Sequence, residues 1–78
     1  MLFSLEEVKK IVQQFSEEYR TSFSMIGNTL TTGVGKDPET GDYCIMAYLE
    51  TDNLRGTIPE TYQGVKVRTN VVGPILAL

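Results

Sequence analysis

Histidine is absent from this chain. That removes the usual general base near neutral pH and the commonest zinc ligand, so the chain cannot build a Ser-His or Cys-His nucleophile pair from its own residues. Cysteine occurs once, at Cys44, which excludes an internal disulfide and fits a reducing compartment. No hydrophobic run approaches the ~20 residues that a membrane helix needs. The N-terminus lacks the basic region and apolar stretch of a secretory signal. These features predict a cytoplasmic protein with no membrane partner. Basic residues are scarce as well: seven Lys and Arg stand against ten Asp and Glu, a net charge of -3. A nucleic-acid surface neutralises phosphates with clustered cations. Here the one close pair is Lys66 and Arg68, and no nucleic-acid partner is expected.

What remains is the balance of a globular protein. Of 78 residues, 41% are hydrophobic and 22% charged, enough for one hydrophobic core and too few for two. The chain therefore reads as a single domain, 1–78. At this size burial and chain entropy nearly cancel, and assembly into a dimer is a common remedy.

The segment Ser4-Leu5-Glu6-Glu7 has the form of a capping box, with Phe3 and Val8 at the positions of a hydrophobic staple. Leu5, Val8, Val12, Phe15 and Tyr19 follow at spacings of three and four, and Ile11 widens the stripe. Glu6 and Glu7 suit the positive end of a helix dipole. The pattern predicts a helix over residues 4–20 whose apolar stripe packs on the protein's own sheet, since two heptads are too few for a coiled-coil seam.

Three strands are expected after it. Leu30, Thr32 and Val34 alternate with Thr29, Thr31 and Gly33. The turn-forming run Lys36 to Asp42 leads to Tyr43-Cys44-Ile45-Met46-Ala47-Tyr48-Leu49, giving an antiparallel hairpin. A long connection spans residues 50–64, in which Pro59-Glu60-Thr61-Tyr62 is expected to form a short helical turn ended by Gly64. Val65, Val67, Thr69 and Val71 then alternate with Lys66, Arg68 and Asn70 in a third strand, stopped by Gly73-Pro74. The expected fold is α+β: one N-terminal helix packed on a three-stranded sheet, with a hairpin and a crossover.

The strand 43–49 is apolar on both sides. Tyr43, Ile45, Ala47 and Leu49 share one face; Cys44, Met46 and Tyr48 share the other. Such a strand belongs inside a covered layer, yet the chain offers one long helix. The second face needs the C-terminal tail Ile75-Leu76-Ala77-Leu78, the alkyl stems of Lys66 and Arg68, or another protein chain. Cys44, Met46, Tyr48, Ile75 and Leu78 are accordingly the expected interface residues of a homodimer or of a complex with another protein.

The motifs that would carry chemistry fail on spacing. Gly33-Val34-Gly35-Lys36 has the look of a phosphate loop, but Leu30 stands where the first glycine belongs and Asp37 where Ser or Thr belongs. Pro38 occupies the third glycine of a dinucleotide fingerprint. Asp37, Glu39 and Asp42 miss the calcium-loop pattern, with Asp42 at the turn glycine and Tyr48 at the bidentate acid. Mid-strand Cys44 reads as an inert core or interface thiol. The sequence thus predicts no catalytic residue, cofactor or metal. The rival reading is a small-ligand binder or minor enzyme that uses the 50–64 connection, where Asp52, Arg55, Glu60 and Tyr62 supply polar groups.

From residue 28 to residue 78 the chain resembles a small domain found in front of some bacterial trypsin-like proteases or alone, often in cyanobacteria. The resemblance rests on Gly33-Val34-Gly35, Gly41, the strand 44–49, Pro59, Gly64-Val65-Lys66-Val67 and Gly73. It implies structural glycines and a proline but no catalytic residue. The favoured expectation is a non-catalytic, self-associating interaction module.

Overall fold

In the computed structural model of the chain, residues 3–27 and 29–73 are described. Helix α1 spans Leu5–Met25. Its start follows from the capping box: the Glu7 amide donates to Ser4 Oγ at 3.2 Å, and the Ser4 amide donates to Glu7 Oε1 at 3.0 Å. The helix runs five residues past its expected end, because Phe23 lies four after Tyr19 and extends the buried stripe into the core. Gly27, at φ 76°, supplies the left-handed residue on which the helix stops.

Val8, Val12, Phe15 and Phe23 of α1 are buried against one face of a mixed sheet. Burying each such side chain contributes about 1.5–3 kcal/mol, so this one interface supplies most of the helix's hold on the sheet. The sheet has four strands: β1 Thr31–Lys36, β2 Tyr43–Leu49, β3 Thr61–Tyr62 and β4 Val65–Val71. Their order is β1-β2-β4-β3. β1 and β2 form the expected antiparallel hairpin, while β2 and β4 run parallel.

The expectation of three strands is corrected here, and so is the helical turn at 59–62. Helical structure in the connection lies earlier, as a 3-10 helix at Asp52–Thr57 that buries Leu54. Ile58 is extended, φ −104° and ψ 130°, the conformation that a following proline imposes. Thr61 and Tyr62 then pair antiparallel with Lys66 and Val65. Gln63 and Gly64 both have positive φ, 51° and 84°, the pattern of a two-residue type I′ hairpin turn. A glycine read as the end of a helix is the second corner of a hairpin.

Candidate interaction surface

The alternation along β2 sorts its side chains as the sequence predicts. Ile45, Ala47 and Leu49 are fully buried under α1. Cys44, Met46 and Tyr48 lie on the opposite face, away from the core cluster that α1 and the 3-10 helix join. The strand register lays out its neighbours. Gly35 stands beside Cys44, Gly33 and Arg68 flank Met46, and Thr31 and Asn70 flank Tyr48.

Two glycines on β1 make this face shallow at one side, and Met46 uses the space. A Cβ at Gly35 would fall 2.5 Å from the Met46 side chain, so the thioether lies directly over that glycine. Its sulfur is also 3.9 Å from the Cys44 thiol. Cys44 is consequently fully buried, and burial pushes its thiol pKa up. Of the expected interface residues, Cys44 presents no surface in the single chain, whereas Met46 and Tyr48 are half-buried. Ile75 and Leu78 lie outside the described residues.

A polar knot closes one end of this face. Asp37, the residue after β1, is 2% exposed. Its Oδ1 accepts from the Glu39 amide at 2.9 Å and from Arg68 Nη1 at 3.1 Å, and its Oδ2 lies 3.1 Å from Lys66 Nζ as an ion pair. The Glu39 amide, with Lys66 behind it, holds the Asp37 carboxyl below the usual carboxylate range. Pro38 helps by fixing the turn in which the carboxylate folds back on its own backbone. In the sequence Asp37 belongs to a turn-forming run, and nothing local marks it as buried. The available signal was the spacing of Lys66 and Arg68, which puts two cations on one side of a strand, next to apolar neighbours that need them neutralised.

The four polar residues of the connection do not form one site. Asp52 and Arg55 pair with each other at 3.1 Å, both well exposed. Arg55 and Glu60 line a shallow groove of about 390 Å³ with Ile58, Pro59, Val67 and Thr69. Tyr62 turns away to the helix. Its ring packs on Phe15 and Tyr19 at centroid distances of 5.2 and 6.2 Å, and its hydroxyl donates to Glu18 Oε2 at 2.6 Å. That bond to a carboxylate raises the Tyr62 pKa. A second cavity, of about 150 Å³, lies among Phe3, Asp37, Thr40, Asp42 and Tyr43; drug-sized ligands fill roughly 300–1,000 Å³, a range that the Arg55–Glu60 groove enters and this cavity does not. Among the described residues, no three His, Cys, Asp or Glu side chains come together as a metal site would require. No described helix is long and apolar enough to cross a membrane.

Compared with protein-family models, curated proteins and solved structures, the chain matches none.

Proposed function

We propose that this chain is a non-catalytic protein-interaction module that self-associates. One observation carries the reading: the sheet is covered by α1 on one face, while on the other Met46, lying over Gly35, and Tyr48, between Thr31 and Asn70, are only partly buried. Apolar side chains on a face without a covering layer gain free energy when another surface displaces their water. The chain is small, and burial shared with a second copy offsets its chain entropy. The resemblance to the domain found beside trypsin-like proteases belongs to the same proposal, since it carries structural glycines and no catalytic group.

The ligand-binding alternative has less support. Tyr62 is committed to Glu18 and the aromatic cluster, and Asp52 and Arg55 satisfy each other. Sedimentation of the wild type and of Met46→Glu tests the reading. The new carboxylate lies beside Arg68 in the register and leaves the helix-covered core untouched. The wild type is expected to associate, and the variant to associate more weakly with an unchanged circular dichroism spectrum. An identical mass for both proteins would contradict a contact through this face.

A further inference from the structure

The β1 edge of the sheet and the flank of α1 above it form a second surface, and its charges point to one partner. β1 is an outer strand, bonded to β2 on one side. The Asp37 amide donates to Asp42 O at 2.8 Å, one step beyond the Lys36–Tyr43 pair. Antiparallel ladders alternate, so Gly35, Gly33 and Thr31 turn their amides and carbonyls toward β2. Thr32 and Val34 then present theirs outward. An edge of this length normally carries a proline, an interior charge or a bulge that blocks pairing. β1 reads Thr31-Thr32-Gly33-Val34-Gly35-Lys36 and has its one charge at the end.

Above this edge α1 does not overhang far enough to close the gap. A groove of about 390 Å³ remains between them, lined by Lys9, Gln13, Glu17 and Arg20 of the helix and by Gly33 and Val34 of the strand. Residues 6, 9, 13, 17 and 20 recur at spacings of three and four and form one stripe along the helix. Their charges read Glu6 minus, Lys9 plus, Gln13 neutral, Glu17 minus, Arg20 plus. Turned end for end about Gln13, the stripe is complementary to itself. In that arrangement Glu6 would face Arg20, Lys9 would face Glu17, and Gln13 would face Gln13; within one chain Lys9 pairs with exposed Glu6 at 3.6 Å and Arg20 donates to Ser16 Oγ at 2.8 Å, surface contacts weak enough for a second copy to rearrange. Two-fold symmetry imposes this operation when an identical chain binds isologously. Gln13 and Gly33 line the same groove, so an axis through one passes close to the other.

We infer that two copies of this chain join through their β1 edges, antiparallel about a two-fold at Gly33, with Lys9 of each helix facing Glu17 of the other. The outward amides and carbonyls of Thr32 and Val34 exchange hydrogen bonds across the axis, extending the sheet from four strands to eight. The inference rests on the self-association proposed above and adds to the Met46 face a second contact, at the β1 edge.

Charge variants on the exposed helix flank test it at low ionic strength, where ion pairs are least screened. Lys9→Glu and Glu17→Lys each place like charges in both symmetric contacts. Each is expected to weaken the homodimer several-fold, since two exposed attractive pairs of modest size become repulsive. Mixed together, the two variants restore opposite charges at every contact, and heterodimers should form at wild-type affinity. The double variant should likewise recover dimerisation. A dimer unaffected by either single change overturns the edge inference; if Met46→Glu still dissociates that dimer, self-association through the sheet face stands. A wild type that stays monomeric at the highest attainable concentration overturns both.

Discussion

At the β3 edge the outer strand is two residues long, closed by the Gln63-Gly64 turn, and its Tyr62 is tied to α1 through Glu18 and two aromatic rings. Gln63 adds a bond to Gln14 on the same flank of the helix, at 2.5 Å. At the opposite edge β1 runs six residues, and the charged helix flank above it lines a groove that no strand closes among the described residues. One helix thus faces two edges and satisfies one of them. The difference teaches where a small fold keeps its options. A layer one helix wide covers only part of a four-stranded sheet, and the uncovered remainder is where a partner adds burial.

Loosening the closed edge is expected to have the largest effect. Phe15→Ala removes the ring on which both Tyr19 and Tyr62 rest, and truncating a buried phenylalanine costs about 3–5 kcal/mol. A urea midpoint should fall accordingly, and amide exchange at Val65 and Lys66 should rise first. No change in either would mean that the aromatic cluster does not hold this edge. Smaller is the effect of Gly64→Ala. The residue sits at φ 84°, and the new Cβ would lie 3.3 Å from the Phe3 ring. A left-handed alanine costs about 1–2 kcal/mol, which thermal unfolding resolves; a neutral result would argue against the type I′ turn.

Asp37 ties the end of the open edge to β4 through Lys66 and Arg68. Its carboxyl is held below the ordinary range in the folded state. The folded form therefore binds its proton less readily than the unfolded chain. The resulting stabilisation is complete above the ordinary carboxylate pKa and is lost as pH falls through the lower folded value. Stability of the wild type should decline below about pH 5. Asp37→Asn should flatten part of that decline; the rest belongs to groups such as Glu7, whose pKa the Ser4 cap also lowers. An acid limb of unchanged slope in the variant would show that the knot is not electrostatic. At neutral pH the variant is expected to shift stability least of the three, because Lys66 and Arg68 keep 54% and 37% of their side chains in water.

Legibility in the sequence tracked the range of the interaction. The α1 start, the β1–β2 hairpin and the two-sided β2 are local patterns, set by a capping box, a turn run and a period of two. The α1 end was missed because Thr21, Ser22 and Ser24 dilute the stripe that Phe23 completes. The β3 strand was missed because two residues cannot display a period, and Pro59 suits a helix start as well as an extended lead-in. The Asp52, Arg55, Glu60 and Tyr62 grouping failed for a related reason. Proximity along a loop says little about direction, and Tyr62 gains more against Phe15 and Tyr19 than over the connection.

One core, an amphipathic first helix and a central strand apolar on both sides are written locally, because each follows from composition or from spacing within a few turns. Tertiary structure alone decided the parallel pairing of β2 with β4, the fourth strand, the burial of Cys44 beneath Met46, and which helix flank lies over an open edge. Those outcomes depend on contacts between residues tens of positions apart, such as Asp37 with Arg68 and Glu18 with Tyr62, whose free energy no local window contains.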